Sequence, residues 1–125
     1  MTSPLLIVDA ANVVGSVPDG WWRDRRAAAE RLRDHLAGYA AGGVPGLLTG
    51  PVDIVLVVEG RARGVEPVEG VRVVAAPADG DAAIAELARA AAGRPCVVVT
   101  ADRELRHRVT AYGARCAGPR TVRPL

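Results

Sequence analysis

The stretch Leu5-Leu6-Ile7-Val8-Asp9-Ala10-Ala11-Asn12-Val13-Val14 constrains this chain more than any other. Four apolar residues run without a polar break into a carboxylate, and Asn12 follows three residues later. Such a run suits a strand buried on both faces, as in the middle of a parallel sheet. In open α/β sheets ligands sit in the crevice beyond the carboxyl ends of the strands. Asp9 therefore falls where chemistry is expected.

The remaining chain extends the same plan. Gly15 to Gly20 reads as a loop by its Gly, Pro and Asp content. Trp21 to about Tyr39 is expected to be one helix, with Leu32, Leu36 and Tyr39 on one side. Gly42 to Pro51 is expected to be a flexible connection. Asp53–Val58 is a second buried strand ending at Glu59-Gly60, and Arg61, Arg63 and Gly64 follow in a loop. Val71–Ala75 is a shorter strand. Pro77 to Asp81 opens a helix from about Ala82 to Ala92, Cys96–Thr100 is a fourth strand, and a helix runs from Arg103 to Tyr112. Gly113 to Ala117 is a weak edge strand. Alternation of this kind predicts an α/β three-layer sandwich, with a central, mostly parallel sheet of four to five strands flanked by helices. One domain over 1–118 and a C-terminal tail over 119–125 are expected.

Composition narrows the class further. A chain of 125 residues, 50% hydrophobic, has enough apolar content to bury a core, but with 3% aromatics and no Phe it must use Val, Leu, Ile and Ala. All 16 basic residues are Arg, which leaves no Lys for a Walker-type phosphate loop. Cys96 and Cys116 sit beside apolar strand residues and read as buried free thiols. No apolar stretch is long enough to cross a bilayer, so a cytoplasmic protein with no membrane partner is expected. His35 and His107 both fall within predicted helices, and no Ser/His/Asp or Cys/His arrangement stands out.

Acids mark the strand ends: Asp9, Glu59, the Asp79/Asp81 pair and Asp102. In a parallel sheet all of these turns lie at one edge, and crowding them there raises their mutual repulsion. A divalent cation removes that penalty, since Mg²⁺ takes carboxylate oxygens while keeping several waters. We expect Asp9, Asp81 and Asp102 as metal ligands with Glu59 assisting, and assign Asp79 to the helix cap. Asn12 either makes a turn or orients a carboxylate or phosphate, and Thr100 precedes Asp102 as a second orienting group. Metal-assisted hydrolysis of a phosphate ester is the reaction class that remains.

Arg23, Arg25, Arg26, Arg61, Arg63 and Arg103 lie on or near this edge, where they could hold a nucleic-acid backbone. Arg106 and Arg108 lie further along their helix and read as solvated charge. Trp21 and Trp22 offer either packing at the helix start or stacking for a base.

Ile7-Val8-Asp9-Ala10-Ala11-Asn12-Val13, the later Gly80-Asp81, and Val99-Thr100-Ala101-Asp102 resemble the NYN domain family of PIN-like nucleases, in its bacterial YacP-like branch. The resemblance covers nearly the whole chain, through the order and spacing of short motifs. It implies a PIN-like α/β fold and Mg²⁺- or Mn²⁺-dependent cleavage of RNA. By position it implies metal binding at Asp9, Asp81 and Asp102, with Asn12 and Thr100 accompanying them. Ala10 stands where many relatives have Gly, and Glu59 where Asp is common. RNA is the partner implied; association with ribosomes or RNA-processing machinery, and homo-oligomerisation, are left open. Two other classes compete: a non-catalytic RNA-binding or regulatory module that keeps the fold, and a phosphohydrolase of the haloacid-dehalogenase kind. The last needs a second Asp two residues after the first, and position 11 is Ala.

Overall fold

The structure, a computed structural model, describes residues 3–123; residues 1, 2, 124 and 125, including the end of the expected tail, lie outside it. In chain order the elements are β1 (Leu5–Asp9), α1 (Ala10–Val14), α2 (Arg25–Ala37), β2 (Gly43–Val44), β3 (Leu48–Thr49), β4 (Asp53–Val58), β5 (Val71–Ala75), α3 (Gly80–Ala90), β6 (Cys96–Val99), α4 (Arg103–Thr110) and β7 (Arg115–Ala117). Five strands form one sheet in the order β5-β4-β1-β6-β7, and every pairing in it is parallel. The expected three-layer α/β sandwich is therefore present, with its weak last strand at the edge.

β1 is central and its five residues are all buried. Side-chain alternation divides it between two cores. Leu6 and Val8 join Val13, Val14, Leu32 and Leu36 of α1 and α2 on one face. Leu5 and Ile7 join Ile84, Ala88, Leu105 and Val109 of α3 and α4 on the other. The chain leaves β1 for β4 and β5 on one side, then crosses to β6 and β7 on the other. The strand order thus reverses between β1 and β6, which is the topological switch point.

Four expectations are corrected. The predicted helix from Trp21 is two pieces: a 3-10 turn over Trp21–Arg23, then α2. Asp24 separates them, because its extended backbone lets the carboxylate accept from Ala27 N–H at 3.0 Å and cap α2. The predicted flexible connection contains an antiparallel ribbon, β2 on β3, whose Val44 is buried in the core. Gly43 permits it, since its φ of 88° is left-handed and a Cβ there would overlap the Leu48 carbonyl. Immediately after β1 comes α1, a five-residue helix absent from the sequence reading. Finally, the start of the expected tail is docked. Pro119–Thr121 form a 3-10 turn, Val122 is fully buried, and Arg123 donates to the carbonyls of Val13 and Val14 and to Asp19. Among the described residues no helix is long and apolar enough to cross a membrane.

Candidate active site at the carboxyl rim of the sheet

Register places the site. Asp9 is level with Val57 of β4, and Val8 with Val99 of β6, so Thr100 comes to lie beside Asp9 across the switch point. Thr100 is fully buried, and its hydroxyl donates to Asp9 Oδ2 at 3.0 Å. The same hydroxyl accepts from Asp102 N–H at 3.2 Å. Two acids expected in the site are thus joined through one buried oxygen. Asp9 Oδ1 accepts from Asn12 N–H at 3.4 Å, which makes Asp9 the N-cap of α1. Asn12 then reaches across the gap: its Oδ1 accepts from Ala101 N–H at 2.8 Å. Its amide oxygen therefore holds the β6–α4 turn against α1.

Asp9 is 6% exposed, and its pKa is raised from the ordinary 3.8 to about 6. Burial is the main cause; the hydrogen bonds from Thr100 and Asn12 oppose it, and the charges of Asp81 and Glu59 add to it. Asp81, in the first turn of α3, is also raised, first by burial and then by the charges of Asp102, Asp79 and Glu59. The acids are therefore electrostatic neighbours, as their places in the sequence imply.

They are near enough to repel one another without being drawn together around one point. Among the described residues no three His, Cys, Asp or Glu side chains are grouped to hold an ion. Most of the acids are instead engaged by helix N-termini, whose N–H groups attract carboxylates. Asp79 accepts from Asp81 N–H at 3.0 Å and caps α3, as expected. Asp102 accepts from Leu105 N–H at 3.0 Å and caps α4. Glu59 accepts from Gly80 N–H, so the longer side chain at this strand end spans from β4 to α3. Gly80 allows that approach, because a Cβ there would lie 2.7 Å from Glu59 Oε2. No hydrogen bond engages the Asp81 carboxylate among the described residues, and its oxygens remain available.

The arginines separate into groups. Arg25 lines a cleft with Trp21 and Glu59, its guanidinium 5.4 Å from the Trp21 ring centroid. Arg23 lies 5.9 Å from the centroid of Trp22, which is 52% exposed. Arg26 pairs with Glu30 at 3.6 Å and passes beside Gly64, bringing α2 next to the turn that carries exposed Arg61 and Arg63. Arg103 is exposed at the start of α4. Two residues read as solvated charge belong to the site. Arg106 is half-buried and donates from Nε to the Thr100 carbonyl at 2.7 Å, and the charge of Arg108 lowers the pKa of Asp81. For Arg106, its spacing of four residues from Asp102 along one helix is the feature that could have found it; no sequence spacing points from Arg108 to Asp81.

Fold and rim together define an open, fully parallel α/β sheet with a buried carboxylate at its switch point. No family model matches the chain, and no curated protein sequence matches it significantly. Among solved structures it is similar to a single-residue variant of Rae1 (YacP) from Bacillus subtilis. The TM-score is 0.69 and the identity 20%, over 94% of this chain and 70% of that one. At that identity the likeness establishes the shared fold.

Proposed function

We propose that this chain is a divalent-metal-dependent ribonuclease of the NYN, PIN-like kind. The observation that carries the proposal is Asp9: a carboxylate buried at the switch point, raised to about 6, and coupled by charge to Asp81 and through Thr100 to Asp102. The resemblance of the three sequence motifs to the YacP-like branch, and the fold shared with the Rae1 (YacP) structure, support the same reading. The donor set is all oxygen and mutually repelling, which suits a hard cation such as Mg²⁺ or Mn²⁺. Asp9, Asp81 and Asp102 would hold it, and when bound it supplies an activated water and offsets charge developing on the phosphate.

The remaining residues prepare that site. Thr100 fixes one Asp9 oxygen and the backbone of Asp102 together. Asn12 locks the turn that presents Asp102. Glu59 assists by holding the first N–H of α3, one residue before Asp81. Arg25, Arg26, Arg61 and Arg63 on one side of the rim, Arg103 on the other, and Arg23 beside them neutralise the phosphates of an RNA strand crossing it. Purified protein with end-labelled RNA and Mn²⁺ tests the proposal. Cleavage should be lost in Asp9→Asn while the far-ultraviolet circular dichroism stays the same; undiminished cleavage would refute it.

The engagement of Glu59 and Asp102 by backbone N–H groups favours a second reading, a non-catalytic RNA-binding module. RNA binding that persists in EDTA, with no cleavage under Mg²⁺ or Mn²⁺, would put that reading first.

A further inference from the structure

Trp21 and Trp22 are adjacent in sequence and opposite in role. Trp21 packs against the core formed with α1 and α2, and lines a cleft with Ala10, Arg25 and Gly60 beside the acidic rim. Trp22 belongs to neither core and is the most exposed large apolar side chain among the described residues. Packing therefore accounts for Trp21 and leaves Trp22 without a part in the fold. The turn that carries it is nonetheless fixed. Gly20 enters it at a left-handed φ of 83°, the Gly20 carbonyl accepts from Arg23 N–H at 3.0 Å, and Asp19 before it is tied to Arg123. Trp21 braces the Trp22 ring edge-to-face, with the centroids 6.0 Å apart.

We infer that Trp22 is a stacking platform for a base of single-stranded RNA, flanking the nucleotide cut at the acidic rim; the inference rests on the ribonuclease reading. The charge around it identifies the occupant. Arg23, Arg25, Arg61 and Arg63 are exposed and make no ion pair among the described residues. Arg23 lies against Trp22 and Arg25 against Trp21, while Arg61 and Arg63 stand on the turn across the cleft, whose Gly60 and Ala62 line it. The two acids of the tryptophan segment are engaged, Asp19 by Arg123 and Asp24 by the start of α2. An exposed indole among unpaired guanidinium groups suits a polyanion with flat apolar faces, which is what single-stranded RNA offers. A second copy of this chain would bring its own cations to the same place. Duplex RNA fits less well, because its bases stack on one another and its helix presents phosphates and 2′-hydroxyls. Every base has a π face, so the platform selects strandedness and not sequence.

Anisotropy of a fluorescein-labelled RNA of about ten nucleotides, in EDTA to prevent cleavage, measures binding. Trp22→Ala should weaken the single strand roughly 10-fold and the matching duplex hardly at all, with circular dichroism unchanged. Trp22→Phe should keep most of the affinity, and Trp22→Leu, apolar but without a π face, should lose it. The slope of log affinity against log salt should be the same in Trp22→Ala as in the wild type, since no charge is removed. Single-strand affinity unmoved by Trp22→Ala, affinity retained in Trp22→Leu, a flatter salt slope in Trp22→Ala, or equal losses on single strand and duplex would each overturn the inference. So would a dimer in sedimentation equilibrium that Trp22→Ala dissolves, which would make the tryptophan a contact between copies. Trp22-dependent binding by a protein that cleaves no RNA in Mn²⁺ would leave the platform standing and remove the ribonuclease reading. Mn²⁺-dependent cleavage with binding indifferent to Trp22 would do the reverse.

Discussion

Replacing Asp9 with Asn should change the stability of this protein in a pH-dependent way that few single substitutions produce. A rise from 3.8 to about 6 means that the fold disfavours the ionised form by about 3 kcal/mol. Between about pH 4 and pH 6 the folded protein therefore holds more protons at this site than the unfolded chain. Stability from this group is fully present below about pH 4 and is lost as pH rises through 6. An asparagine carries no such dependence. At pH 7.5 the variant should be the more stable of the two in EDTA. Its gain will fall short of the full 3 kcal/mol, because the new NH₂ faces a Thr100 hydroxyl that already accepts from Asp102 N–H. The robust quantity is the change in the difference: between pH 7.5 and pH 4 it should shift by about 3 kcal/mol toward the wild type, or roughly 10 °C in Tm for a domain of this size. Thermal melts of both proteins in EDTA across that range measure it directly. Parallel pH curves would refute the claim that Asp9 is buried and uncompensated. The same melts with Mn²⁺ at pH 7.5 should raise the wild type by about 3 kcal/mol at one hundred times the Kd, and leave Asp9→Asn unmoved.

Other perturbations probe the groups around it. Asn12→Ala should cost about 1 kcal/mol in urea denaturation and speed hydrogen exchange at the Ala101 amide, which loses its acceptor. Gly80→Ala should push the Glu59 carboxylate off Gly80 N–H, so a double-mutant cycle with Glu59→Gln should give a coupling of about 1 kcal/mol; strict additivity would contradict the contact. Truncation after Gly118 removes buried Val122 and the Arg123 bonds to Val13, Val14 and Asp19, and should lower stability by about 2–3 kcal/mol with the helical signal retained. An unchanged urea midpoint would show that the segment does not dock.

The parts legible in the sequence are those fixed by short-range pattern. Leu5–Val8, Ile54–Val58 and Cys96–Val99 are apolar beyond what a half-exposed strand tolerates, and each is buried. Asp79 and Asp102 stand one residue before helices and cap them. The parts missed depend on contacts between distant segments. Val13 and Val14 are too few to show a helical period, yet five residues after a capping Asp9 close a helix turn because both valines fit the core beside Leu32 and Leu36. The β2–β3 ribbon has two residues per strand, too few for any periodicity, and is held by Val44 in the core. Arg106 looks like one of several solvated arginines until β6 delivers the Thr100 carbonyl to it. From the sequence Glu59 is only an assisting acid at a strand end; the packing of α3 against β4 reveals that it holds Gly80 N–H.

The same packing explains why the rim is arranged as it is. A buried Asp and its acidic neighbours oppose folding, and the fold answers with neutral donors wherever a helix begins: Asn12 N–H for Asp9, Gly80 N–H for Glu59, Leu105 N–H for Asp102. These bonds steady the acids without discharging them, because a backbone N–H carries only a partial charge. Asp9 and Asp81 are left with raised pKa values despite the donors nearby. Nothing in the fold needs a carboxylate at position 9 for packing, since a neutral side chain there would remove the cost. What the retained charge supplies is an electrostatic demand at the switch point, which a divalent cation would meet if the proposed function holds. Under the proposed function, the stability lost at Asp9 is the measurable cost of keeping that charge at the site.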